Sequence, residues 1–175
     1  MVKLSFSHTF KTWLRMRTFN KKGWHFSEVR LGMYAGEYDD WEKYYLPISV
    51  TGLTVLDVGA GEGETALFFL EHGAKGVICI EPHYASYLRL RENAKDKPIV
   101  CLNKRFSLKD LNLPFDFMKM DIEGYEEILL SAQFDKPCAV EVHGLQLRDK
   151  FARAGYSIIK TSDNDFTGMS YAYRR

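Results

Sequence analysis

Residues Val55–Gly63 read VLDVGAGEG, and eighteen positions after Gly63 the residue Glu81 closes the stretch GVICIEP. This pairing decides the fold. An apolar strand enters a glycine-rich turn, a helix follows, and a second apolar strand ends on one acid. That is a βαβ half with its ligand-contact points in sequence order. A chain leaving a buried strand must turn without a Cβ in the way, and a ligand must reach the backbone closely. Gly59, Ala60, Gly61 and Gly63 supply that turn. The helix that begins near Glu64 aims its amide end at whatever sits there.

The same residues restrict the ligand. Glu81 is placed to accept hydrogen bonds from ribose hydroxyls. A dinucleotide fingerprint needs its third glycine three residues after the second, and that place holds Glu64. Asp57 and Glu62 put negative charge where a pyrophosphate would lie. A ligand with a ribose, no phosphate and a cationic centre fits better, and S-adenosylmethionine is such a ligand. The competing reading is a tight turn that binds nothing, and Glu81 argues against it.

With these residues the chain resembles the class I S-adenosylmethionine-dependent methyltransferases. The acidic-x-Gly-x-Gly-x-Gly pattern is complete from Asp57 to Gly63. A second stretch, FDFMKMDIEGYE from Phe115 to Glu126, resembles the K-(I/M)-D-(V/I)-E-G-x-E signature of the FkbM-type methyltransferases. The likeness spans roughly residues 53–161. The chain departs from that family at Glu62, where Asn is usual. The resemblance implies an α/β Rossmann-like methyltransferase fold. Its seven-stranded, mostly parallel sheet has the order 3-2-1-4-5-7-6, with helices on both faces.

Working outward, strands and helices alternate from Leu53, as a parallel sheet requires. Strands are expected at about 53–58, 76–81, 98–103, 115–120 and 138–143, with a closing antiparallel pair at 157–161 and 169–173. Helices are expected at about 64–72, 83–95, 124–132 and 145–154, with one helical turn near Leu108–Leu111. Before the sheet, residues 7–18 read as a short amphipathic helix and EYDDWEKYYL (37–46) as a second helix ending before Pro47. Residues 1–50 are therefore expected to form a helical cap on the substrate side, and residues 51–175 the S-adenosylmethionine-binding domain.

Composition narrows the class. Apolar residues make up 46% of the 175, enough for one domain with a real core. No apolar run approaches the roughly 20 residues that span a bilayer, and MVKLSFSHTF lacks the apolar stretch of a secretory signal. Cys79, Cys101 and Cys138 lack metal-ligand spacing and sit in expected strands. Buried reduced thiols in a cytoplasmic protein are the expectation. The net charge of +1 hides seven basic residues against one acid in residues 1–30, so the remainder carries −5. That basic segment either contacts an anion such as RNA or is a solvated helix face.

In open α/β sheets ligands bind beyond the carboxyl ends of the strands. Strand 1 brings Asp57 there, strand 4 brings Asp121 and Glu123, and strand 5 brings Glu141 and His143. Residues two apart on a strand share a face, so Glu141 and His143 should project together beside Asp121. His143 is the candidate general base. Asp121 and Glu141 would orient it, Asp121 doubling as a contact for the methionine part of the cofactor. These groups could also bind a divalent ion, but a carboxylate–histidine pair works without one, and no metal is assigned. By resemblance, Pro82 and Asn103 flank the adenine ring. The expected acceptor is a hydroxyl on a small molecule, sugar or lipid-linked compound. RNA is the alternative acceptor, and a non-catalytic S-adenosylmethionine-binding regulator is a third reading.

Overall fold

The computed structural model describes residues 17–19, 22–27, 30, 38, 40–160 and 170–174. Seven strands form one sheet in the order β3-β2-β1-β4-β5-β7-β6. They are β1 (Thr54–Val58), β2 (Gly76–Ile80), β3 (Ile99–Leu102), β4 (Phe117–Met120), β5 (Cys138–Val142), β6 (Ser157–Lys160) and β7 (Ser170–Arg174). The first five pair in parallel, and β7 runs antiparallel to both β5 and β6. The order and directions are those expected from the sequence.

Alternation along the strands builds two cores. Leu56, Val58, Met118, Met120, Val140 and Val142 face one side, where Leu147 and Phe151 of helix α3 (Leu145–Arg153) cover them. Val55, Phe117 and Ala139 face the other, under Phe68 and Phe69 of α1 (Glu64–Glu71), Leu90 of α2 (Tyr84–Asn93), and Trp41 and Tyr45. Residues 40–45 are helical, in line with part of the expected 37–46 helix. The proposed 7–18 helix lies almost wholly outside the described residues, as do the turn DNDFTG and most of the basic N-terminal residues.

Two local expectations change. The stretch expected as a helix at 124–132 is a 3₁₀ turn over Glu126–Ser131. Glu123 and Gly124 before it adopt left-handed φ of 54° and 95°, so no helical turn can start there. On α2, Leu90 and Asn93 are buried and Tyr87 packs against the core, whereas Tyr84 and Leu88 are 62% and 41% exposed. Cys79 and Cys138 are buried as expected, but Cys101 on the outer strand β3 is only partly so.

Phe19 and residues 24–27 pack over the first βαβ unit. Phe19 and Trp24 stack at 5.3 Å and bury against Leu67 of α1. Asn93, 1% exposed, accepts from the His25 amide at 2.8 Å and donates to the carbonyls of His25 and Glu62 at 3.1 and 2.9 Å. The Ser27 amide donates to Glu62 Oε2 at 2.6 Å. Residues 24–27 are thereby fastened beside the glycine turn.

Candidate active site

The glycine turn is shaped first by the chain's own packing. A Cβ on Gly59 would lie 1.8 Å from the carbonyl oxygen of Asp121, so this glycine lets the end of β1 press against the end of β4. Backbone packing alone therefore requires a glycine at position 59. At Gly61 a Cβ would meet Glu64 Oε2 at 2.7 Å and Arg30 Nη1 at 3.1 Å, both flexible side-chain ends. Beneath the turn Asp57 is fully buried, with Thr65 Oγ1 donating to it at 2.6 Å.

Glu81 reaches from the end of β2 into the turn. Its carboxylate accepts from the Gly61 amide at 3.0 Å and the His83 amide at 2.7 Å. Asn103 is exposed, and its Nδ2 donates to the carbonyls of Glu81 and Pro82 at 2.8 and 3.3 Å. Asn103 therefore braces the segment that carries Glu81. Val58, Gly59, Ile80, Pro82, Phe106 and Ile122 line most of an adjoining cavity of about 260 Å³. Its apolar walls and position over the tips of β1, β2 and β4 suit a planar base. Ala60 is buried beside it. A larger groove of about 650 Å³ runs between α2 and β3, but it follows the sheet edge rather than the strand tips.

A second cluster stands at the tips of β4 and β5. Single ligand atoms of Asp121, Glu141 and His143 lie within 4.8 Å of one another, a spacing that could hold a divalent ion. The sequence placed these three together, and the fold brings them together. His143 Nδ1 pairs with Glu126 Oε1 at 3.0 Å, and its Nε2 lies 3.8 Å from Glu141 and 3.6 Å from Glu123. The bond to Glu126 outweighs burial and lifts the imidazole pKa to about 9, with Asp121 and Glu141 adding to the rise. Burial raises the Asp121 carboxyl to about 7, against the pull of Lys119. Glu141 is anchored by two phenols: Tyr45 donates to its Oε2 at 2.6 Å and Tyr171 at 3.0 Å.

Four of these residues were missed from the sequence. Glu126 Oε1 accepts from the Gly124 amide at 2.9 Å, while Glu123 is 86% exposed. Lys119 stands in the quoted KMD motif and is 2% exposed. Its Nζ donates to the Gly59 carbonyl at 3.0 Å and lies 3.2 Å from Asp57 and 3.9 Å from Asp121. A lysine inside an apolar strand was the available signal. Tyr45 and Tyr171 carried none, because an aromatic in a helix or strand reads as core.

Comparison with known proteins found no matching family model and no curated relative. Solved structures do match in fold. An S-adenosylmethionine-dependent methyltransferase from Mesorhizobium loti is 14% identical, with 79% of this chain and 97% of that one covered and a TM-score of 0.57. Ribosomal protein L11 methylase from Lactobacillus delbrueckii subsp. bulgaricus is 22% identical over 72% of each chain, with a TM-score of 0.52. Aeropyrum pernix fibrillarin, with natively bound S-adenosyl-L-methionine, is 14% identical over 73% of this chain and 69% of that one, with a TM-score of 0.56. The chain thus has the fold of the class I methyltransferases.

Proposed function

We propose that this chain is an S-adenosylmethionine-dependent methyltransferase that acts on a hydroxyl of a small-molecule, sugar or lipid-linked acceptor, in the manner of FkbM-type enzymes. The observation that carries the reading is the Asp121–Glu141–His143 cluster beside a glycine turn and its ribose acid. When bound, the cofactor supplies an electrophilic methyl group on a sulfonium. Asp57, the 59–63 turn, Glu81, Pro82 and Asn103 would hold it. In-line transfer needs the acceptor oxygen held and its proton removed.

The electrostatics divide that work differently from the sequence reading. An imidazole with a pKa near 9 is cationic at neutral pH and cannot accept a proton. Asp121, near 7, is half ionised there and is the better base. His143, steadied by Glu126, then donates a hydrogen bond that fixes the acceptor oxygen. RNA remains the second reading, favoured by the exposed Arg91, Lys95, Arg105 and Lys109 around α2 and β3. The exposed Glu123 and Glu127 near His143 count against a polyanion at that rim.

The test is transfer of a labelled methyl group to a panel of sugars, phenols and lipid-linked alcohols, with total RNA in parallel and each reaction repeated with chelator. Label is expected in methyl ethers of the hydroxyl panel. Asp121→Asn should lower the rate about 10²–10⁴-fold at saturating S-adenosylmethionine. Label in RNA alone would overturn the acceptor assignment. Loss of activity on chelation would move the deprotonation to a metal at the same three residues.

A further inference from the structure

Lys119 is a buried group of the site to which the reading above gives no task. Burying an ammonium costs several kcal/mol unless its partners compensate, and methionine fills similar volume at no such cost. Three partners hold it: the Gly59 carbonyl, Asp57 and Asp121. Its Nζ also lies 5.6 Å from the ring centroid of Tyr45, the phenol that anchors Glu141. Burial opposes the charge, yet Asp57, Asp121 and Glu141 hold its pKa above the ordinary lysine value, so it is a permanent cation. It therefore sits behind the glycine turn on one side and the proposed proton acceptor on the other.

We propose that Lys119 is a positioning residue with an electrostatic consequence. It locks the glycine turn to Asp121, and with the cofactor held on that turn its fixed positive charge would disfavour the sulfonium form relative to the neutral thioether product. In the transfer, the sulfur–methyl bond breaks with both electrons staying on sulfur. A lone pair of the acceptor oxygen forms the new carbon–oxygen bond, and the hydroxyl proton passes to Asp121. Sulfur loses its positive charge on the way, while the charge on Lys119 stays. Repulsion present at the start is relieved as the methyl group leaves, and only an interaction that differs between ground and transition state changes the chemical step.

The proposal rests on the cofactor assignment, and its test needs no acceptor. Dissociation constants for S-adenosylmethionine and S-adenosylhomocysteine are measured by calorimetry for the wild type, Lys119→Met, Lys119→Gln and Lys119→Arg, each checked for a cooperative melt. Removing the charge should favour the sulfonium ligand over the thioether by about tenfold. That is the scale of one unit charge roughly 10 Å away at an effective dielectric constant of about 20. Lys119→Arg should keep the wild-type ratio. A purely structural lysine would weaken both ligands equally and leave the ratio unchanged, which overturns the proposal. So does a ratio that moves as far with arginine as with methionine. If both neutral variants fail to fold while Lys119→Arg folds, Lys119 is a structural ion-pair partner and the proposal is likewise overturned. Binding of neither ligand to the wild type would instead overturn the cofactor assignment.

Discussion

At the scale of single residues, the glycine turn shows how one signature mixes two constraints. Gly59 and Gly61 look alike in sequence. Yet the space beside Gly59 belongs to the Asp121 backbone, and that beside Gly61 borders the movable ends of Glu64 and Arg30. Gly59→Ala should therefore cost about 3–5 kcal/mol of stability or abolish soluble protein, because the carbonyl it meets cannot rotate away. Gly124→Ala, with open space around the same left-handed backbone, should cost only about 1–2 kcal/mol. Urea denaturation of the two variants checks this, and equal losses would mean that the Asp121 contact relaxes freely. Asp57, Glu81, Asp121, Glu141 and His143 were legible because acids and a histidine at strand ends stand out against apolar strands. Glu126, Tyr45 and Tyr171 were not, since their roles depend on which elements fold back on one another.

At the scale of elements, strands were easier to read than what caps them. An apolar run such as GVICI has a single good solution, a strand buried on both faces. The stretch after Asp121 has several. Its helix-like composition gives way to a 3₁₀ turn because Glu126 ties the Gly124 amide to His143. The N-terminal segment was expected as a cap from chain length and element count, and the fastening of residues 24–27 through Asn93 could not be foreseen from an asparagine near a helix end. Asn93→Ala leaves the buried carbonyl of Glu62 and the part-buried amide and carbonyl of His25 without that partner, which should cost about 1–3 kcal/mol. It should also speed amide exchange at residues 24–27. Unchanged exchange there would show that the aromatic packing of Phe19 and Trp24 suffices to hold the strap.

At the scale of the whole molecule, the buried acids and histidine set the response to pH. The folded pKa values of Asp121 (about 7), Glu64 (about 8) and His143 (about 9) all lie above their ordinary values of 3.8, 4.5 and 6.5. For Asp121 and Glu64 the cause is burial, and for His143 it is Glu126. These three groups therefore bind more protons in the folded state than in the unfolded chain from about pH 5 to about pH 9, so the stability they contribute falls as pH rises through that window, while the lowered Asp110 and Glu126 act only at more acid pH. Urea midpoints are expected to drop steadily from about pH 5 to about pH 9, with a shallower slope in Glu64→Gln. A midpoint that rises with pH would contradict the protonation states on which the roles of Asp121 and His143 rest. Among the described residues no helix is long and apolar enough to cross a membrane.

The central claim, an S-adenosylmethionine site built on the 57–63 turn and Glu81, is tested most directly by titrating S-adenosylhomocysteine into the wild type and Glu81→Ala in a calorimeter. The wild type should bind, and a hundredfold excess over the dissociation constant should add about 2.7 kcal/mol of stability. Glu81→Ala removes a carboxylate that braces the Gly61 and His83 amides and would accept from the ribose hydroxyls, so its affinity should fall at least tenfold. No heat with S-adenosylhomocysteine together with tight binding of NAD would contradict the account.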